Sequence, residues 1–274
     1  MSVIARTHAI DFLVSDIDGT LVTGDKTLTP AAATAVARLA GAGVAFSLIS
    51  SRPPRGMAAL VTALGVTLPF AAFNGGAIVR PDGFILGRHV LPGAIVARTL
   101  SLLAGEGVDA WVFAGDAWWL HDPAGANVAR ERRTVGFDPV VVADLAAARD
   151  VGKIVGTSDD HARLAFCEAK VAAALGKAAS VGRSQPYYLD ITHPRATKGR
   201  GVAALCRLAG FDLARTAVIG DMENDVSMFH VAGLAIAMGQ APDEVKARAG
   251  FVTASNADEG FAQAVDRFVL PRAA

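Results

Sequence analysis

Cysteine is scarce in this chain. Among 274 residues there are two, Cys167 and Cys206, each in an apolar, helical-looking context. Buried free thiols in a reducing compartment are expected, not a disulfide framework. An excess of charge is also missing, since acidic and basic side chains number 26 each. That balance leaves no electrostatic footprint for nucleic acid. No apolar run approaches the about 18 residues needed to span a membrane. The amino terminus, with Arg6 and then Asp11 close behind, makes a poor signal peptide. A cytoplasmic protein is expected, with neither nucleic acid nor membrane as partner. The histidines, at 8, 89, 121, 161, 193 and 230, are scattered without metal-ligand spacing, which argues against zinc. Internal repeats and low-complexity segments are absent as well.

Apolar residues are plentiful, at 52% of the chain, enough for a sizeable core. The stretch that organises the rest is Ile10-Asp11-Phe12-Leu13-Val14-Ser15-Asp16-Ile17-Asp18-Gly19-Thr20-Leu21. Phe12 to Val14 reads as a strand buried on both faces, because it is apolar without alternation. It ends in two carboxylates, and uncompensated charge at a strand terminus is costly. A hard divalent cation, or a nucleophile that attacks a phosphoryl group, would account for them. A plain Asp-Gly turn accounts for this stretch alone equally well.

Residues 30–41 predict a helix with Thr29 as N-cap and Pro30 in its first turn. Val44 to Ile49 predicts a second strand, ending in Ser50-Ser51-Arg52-Pro53. A helix over about 55–64 and a strand at Phe70–Phe73, ending in Asn74-Gly75-Gly76, follow. Strands alternating with helices at this spacing predict an α/β fold with a doubly wound parallel sheet, Rossmann-like, whose ligands sit beyond the strands' carboxyl ends. A hairpin at 77–86 precedes a change of texture that includes all three tryptophans, Trp111, Trp118 and Trp119. We read 87–188 as an inserted α+β cap domain, and 1–86 with 189–274 as the core. The tryptophans are expected to pack the cap or its contact with the core, ahead of lining a sugar pocket. In the returning core, Thr197-Lys198-Gly199 opens a helix, and Thr216 to Ile219 is a strand ending in Gly220-Asp221-Met222-Glu223-Asn224-Asp225. A last helix is expected over about 258–269.

Phosphoryl transfer requires charge neutralisation and positioning above all. Asp16 is placed to attack in line, and Asp18 to protonate the leaving oxygen and then activate water. Ser50, Ser51 and nearby amides would hold phosphate oxygens, with Lys198 supplying a compact cation. Asp221 with Asp16 would hold Mg²⁺. Asp225 would fix Lys198 or a metal-bound water, supported by Asn224. Each part also has a bland reading: a helix cap for the serines, a solvated lysine, turns at Asn74 and Asp221. Arg52, Asn74, Gly75, Arg183, Tyr187 and Tyr188 are the candidate substrate contacts.

Asp-Ile-Asp-Gly-Thr-Leu at 16–21, Ser-Ser-Arg at 50–52, Lys198-Gly199 and Gly-Asp-Met-Glu-Asn-Asp at 220–225 together resemble the four motifs of the haloacid dehalogenase-like phosphatases. The match is closest to the Cof-type subfamily with its large α/β cap. Asn74-Gly75 and the segment from Met238 to Lys246 resemble that subfamily too. The resemblance implies Asp16 as nucleophile, Asp18 as acid/base, Ser50 and Lys198 on phosphate, and Mg²⁺ on Asp16, the Asp18 backbone carbonyl and Asp221. Ser51 departs from the glycine usual at its position. The cap shows no residue-level match, so its substrate-facing residues cannot be carried over. The expected function is a Mg²⁺-dependent phosphatase acting, as monomer or homodimer, on a small phosphorylated metabolite such as a sugar phosphate, through an aspartyl phosphate. The alternatives are a phosphosugar mutase on the same fold and a non-catalytic binding protein. A nucleotide-dependent oxidoreductase would need G-x-G-x-x-G after the first strand, where this chain has Asp-Gly-Thr-Leu.

Overall fold

In the computed structural model, residues 9–270 are described; Arg6 and His8, used above, lie outside them. The strands in chain order are β1 (Phe12–Ser15), β2 (Ala45–Leu48), β3 (Phe70–Ala72), β4 (Ala77–Val79), β5 (Ile85–Arg88), β6 (Asp109–Ala114), β7 (Ala117–Leu120), β8 (Val140–Val141), β9 (Val151–Thr157), β10 (Ser180–Gln185), β11 (Tyr188–Thr192), β12 (Thr216–Gly220), β13 (Leu234–Ala237) and β14 (Phe251–Val252). The helices are α1 (Pro30–Gly41), α2 (Ala58–Ala63), α3 (Gly93–Gly105), α4 (Val128–Val135), α5 (His161–Leu175), α6 (Lys198–Ala209), α7 (Glu223–Phe229), α8 (Asp243–Lys246) and α9 (Gly260–Ala264).

The core sheet is parallel throughout, in the order β14-β13-β12-β1-β2. Phe12, Leu13 and Val14 are buried, as both faces of a doubly wound sheet require. β1 lies between β2 and β12, with Ser15 opposite Leu48 on one side and Ile219 on the other. Chain connections leave β1's neighbourhood in both directions, and such a reversal opens a crevice at the strands' carboxyl ends.

The third strand departs from the expected parallel order. β3 touches the parallel sheet by a single bridge, Ile49 to Ala71, and then pairs antiparallel with β4, which pairs with β5. The reason lies just beyond it. Phe73, Asn74 and Gly75 have φ of 50°, 56° and 87°, and this left-handed run turns the chain back on itself. The Ser50 carbonyl accepts from the Asn74 N–H, and the Arg52 carbonyl from the Phe73 N–H, tying the turn to the loop after β2.

The second sheet has the order β10-β11-β9-β6-β7-β8 and runs on through Thr192. It is antiparallel apart from β7 with β8. Helices α3 and α5 cover one face; the other turns to the core. There Phe73 lies 6.2 Å, centroid to centroid, from Phe113, and Arg55 sits over the Phe137 ring. Trp111 and Trp118 are buried in an edge-to-face pair. Helix α4, over Val128–Val135, had no forecast in the sequence, because Arg130-Glu131-Arg132-Arg133 reads as a charged surface run. The last helix starts at Gly260 and widens into a π turn over Val265–Val269.

Candidate active site

Asp16 is the first residue past β1, and its N–H donates to the Ile219 carbonyl at 3.0 Å. Lys198, in the first turn of α6 behind the Thr197 cap, reaches the same point from the other side of the sheet. Its Nζ donates to Asp16 Oδ1 and Asp225 Oδ1, each at 2.6 Å. Burial alone would lower the Lys198 pKa; the two carboxylates outweigh it and hold the ammonium charged. Asp225 Oδ2 accepts from the backbone N–H groups of Asp221 and Met222, each at 2.9 Å, closing the first turn of α7. Asp225 is therefore fully used as a support.

Asp16 is less settled. Burial pushes its carboxyl up to about 7, against the pull of Lys198. Asp221 is also pushed well above the ordinary range, by burial and then by Asp16. Asp221 Oδ1 is buried with no hydrogen-bond partner. Oδ2 takes the Gln240 amide, which also holds the Gly19 carbonyl at 2.6 Å. Gly19, at φ +83°, must be glycine here, because a Cβ would lie 2.2 Å from Asp221 Oδ2. Carboxylate oxygens of Asp16, Asp221 and Asp225 lie within 4.8 Å of one another. An oxygen-only donor set with an orphaned buried carboxylate oxygen fits a hard divalent cation.

Asp18 is in a different state. Arg52 binds both its oxygens, at 2.7 and 2.8 Å, and Lys26 adds a contact at 2.8 Å. Burial would raise its pKa, but these cations hold the carboxyl well below the usual range. Arg52 also donates to the Thr134 carbonyl on α4 at 2.8 Å and to Gly56, so one guanidinium joins core and cap. Ser50 Oγ accepts from the Arg52 N–H at 3.2 Å, and Ser50 is buried behind the cavity, not on its wall.

The cavity over these groups is walled by Asp16, Asp18, Ser51, Arg52, Lys198, Asp221 and Asn224 from the core, and by Tyr187 and Tyr188 from the cap. Asn74 and Arg183 instead face an adjoining cavity between α7 and β10. There Arg183 is paired with Glu168 at 2.8 Å, and Asn74 accepts from the Asn224 amide at 3.0 Å. Gly75 lines neither of these two cavities; a Cβ on it would lie 2.7 Å from the Thr197 carbonyl and 2.9 Å from Gly201. Sequence reasoning missed Lys26, Glu131, Lys153, Ser184 and Gln185, all on the first cavity's wall, and Asp190 beside it. Lys153 and Asp190 had a signal, a lone charge inside an apolar strand; Glu131 had none.

The family model described as haloacid dehalogenase-like hydrolase matches residues 13–265. The chain belongs to the haloacid dehalogenase-like hydrolases. A putative phosphatase from Haemophilus influenzae is 28% identical over 251 residues, covering 90% of this chain and 94% of that one. A pyridoxal phosphate phosphatase from Escherichia coli is 27% identical over 259 residues, with the same coverage. Among solved structures, a haloacid dehalogenase-like hydrolase from Bacteroides thetaiotaomicron has a TM-score of 0.82 at 25% identity, covering 94% of this chain and 99% of that one. A sugar phosphatase of subclass IIB shares the fold, with a TM-score of 0.83 at 23% identity over 95% of this chain and 100% of that one. This haloacid dehalogenase-like hydrolase is a phosphatase of the Cof type, a phosphoric monoester hydrolase with a cap domain. Among the described residues, no helix is long and apolar enough to cross a membrane.

Proposed function

We propose that the enzyme is a Mg²⁺-dependent phosphatase that hydrolyses a small phosphorylated metabolite, a sugar phosphate or a related compound, through an aspartyl phosphate on Asp16. The observation that carries this is the buried trio of Asp16, Lys198 and Asp221, in which Lys198 neutralises one side of Asp16 and the Asp221 Oδ1 is left for a cation. Phosphatases of this family generally use Mg²⁺, and Asp16, Asp221 and the Asp18 backbone carbonyl would hold it. Bound there, the ion would offset the negative charge of the phosphoryl oxygens as Asp16 approaches.

An Asp16 carboxylate oxygen attacks phosphorus, and the bond to the leaving oxygen breaks as that oxygen takes a proton from Asp18. Water then attacks the phosphorus of the aspartyl phosphate and gives its proton to Asp18, the bond between phosphorus and the Asp16 oxygen breaks, and inorganic phosphate and the Asp16 carboxylate are released. With both Asp18 oxygens on Arg52, the carboxyl is in the form that accepts the proton from water. Donating to the leaving group first requires release from Arg52 and Lys26, which an entering phosphate dianion promotes by competing for the same cations. We place the cap at 87–188, extended by β11 to Thr192, and assign it the exclusion of bulk water.

Asp16→Asn keeps the side chain's size but removes the nucleophile, and is expected to lower turnover of p-nitrophenyl phosphate at least about 10³-fold. Chelation should abolish wild-type activity and Mg²⁺ restore it, with Ca²⁺ a poor substitute because it accepts more ligands at longer distances. Near-wild-type turnover by Asp16→Asn, or full activity in excess chelator, would overturn the reading.

A further inference from the structure

Six buried or nearly buried acids surround the two adjoining cavities: Asp16, Asp18, Asp221 and Asp225 from the core, Glu131 and Asp190 from the cap. Five cations line the same cavities, and each is already claimed, Arg183 by Glu168. Arg52 and Lys26 bind Asp18, and Lys198 is shared by Asp16 and Asp225. Lys153, on β9, pairs with Asp190 on β11 at 3.4 Å, with both side chains at most 4% exposed. Two carboxylates remain. Asp221 belongs to the cation site described above. Glu131, on α4, is 4% exposed, lines the main cavity, and forms no ion pair among the described residues. Beside it lies the buried Tyr188 hydroxyl, the neutral neighbour of the Glu131 carboxyl within the cap.

Polar groups buried to this degree require partners. Glu131 reaches the cavity over Asp16 from the cap side, with Lys153 and Tyr188 beside it, so the part of a substrate that meets it is the leaving group. An anionic leaving group would meet an unpaired carboxylate in a low-dielectric cleft. A cationic one would meet Lys153 on the same wall. Hydroxyl groups satisfy both, donating to Glu131 and accepting from Lys153 and Tyr188. We infer that Glu131, Lys153 and Tyr188 form the leaving-group subsite of the proposed phosphatase reaction, and that it selects a neutral, hydroxyl-bearing alcohol over one carrying a second anionic group. Burial pushes the Glu131 carboxyl up, so the discrimination against a second anion belongs to its ionised form and weakens where the carboxyl is protonated.

This rests on the phosphatase reading, and p-nitrophenyl phosphate hydrolysis by the wild-type enzyme tests that reading separately. The subsite is tested with sn-glycerol 3-phosphate and 3-phosphoglycerate, which differ by a hydroxymethyl group against a carboxylate. Each is measured as a competitor of p-nitrophenyl phosphate, so an inhibition constant is obtained whether or not it is turned over. Wild type is expected to favour the glycerol ester by at least about tenfold. Glu131→Gln, which removes the charge and keeps the size, should shrink that ratio severalfold, mainly by tighter binding of 3-phosphoglycerate. Equal or tighter wild-type binding of 3-phosphoglycerate overturns the inference without any variant. An unchanged ratio in a folded Glu131→Gln protein overturns the assignment to Glu131.

Discussion

Lys198 is the residue on which the buried charges depend. Removing it in Lys198→Ala leaves Asp16 and Asp225 buried with no counter-ion, which costs about 3–5 kcal/mol when a buried pair is broken. Urea denaturation of the metal-free protein should show that loss, and p-nitrophenyl phosphate turnover should vanish with it. Arg52 differs, because its partners are Asp18 and two backbone carbonyls, one on each side of the cleft. Arg52→Ala is expected to lower kcat/KM by about 10²-fold, the scale of a misplaced acid–base group, with a smaller effect on stability than Lys198→Ala. Steady-state kinetics alongside the urea curves separates the two. At this scale Asp16, Asp18, Lys198 and Asp221 were legible because each carries a charge at the end of an apolar strand or beside a helix start. Glu131 was not, because within Arg-Glu-Arg-Arg nothing distinguishes a carboxylate turned inward from one turned to solvent.

Among the elements, the two chain crossings between sheets are where behaviour is tied to pH. His89, after β5, and His193, after β11, stack with ring centroids 4.8 Å apart. His193 Nδ1 accepts from the Arg195 N–H at 3.1 Å, and burial, His89 and Arg195 all lower its pKa. The nearest charge pair on the first crossing is Arg88 with Asp150. The folded protein therefore binds the His193 proton less readily than the unfolded chain. The stability His193 contributes is complete above about 6.5 and is lost as pH falls below that value toward the lowered folded pKa. The melting temperature should drop between pH 7.5 and 5.5, and His193→Asn, which keeps an acceptor that does not titrate, should drop less. Helix α6 carries a steric condition instead. A Cβ on Gly199 would lie 2.3 Å from the Ser227 carbonyl on α7. Gly199→Ala is expected to cost about 1–3 kcal/mol, read by calorimetry as a fall of several degrees in Tm. The helices and strands of the core were legible from period, caps and strand ends. The departure of β3 was not, since three successive left-handed residues at 73–75 include a phenylalanine, which local preference disfavours.

For the molecule as a whole, the cap's seat on the core is an apolar contact with little slack. Gly152 on β9 faces the Phe73 ring, where a Cβ would come within 2.7 Å of Cε2, and a Cβ on Gly56 would lie 3.2 Å from Val135 of α4. Gly152→Val should hold the cap off its seat. We expect about tenfold lower kcat/KM for a substrate that fills the leaving-group subsite and a smaller effect on p-nitrophenyl phosphate, compared in one substrate panel. An equal loss on both would mean that seating the cap does not govern selection. By itself the sequence determined the parallel core, the inserted cap, and the four charged core groups, Asp16, Asp18, Lys198 and Asp221, that the fold gathers on one cavity. Those follow from short-range patterns: apolar runs, caps, and charges abutting strands. Only the tertiary structure decided which charges were already paired, that Arg52 spans core and cap, that Arg183 is held by Glu168, and that Glu131 is buried without an ion pair among the described residues. Pairing depends on side chains brought together from distant positions, 18 with 52 and 16 with 198 among them, and burial decides whether an unpaired charge needs a partner.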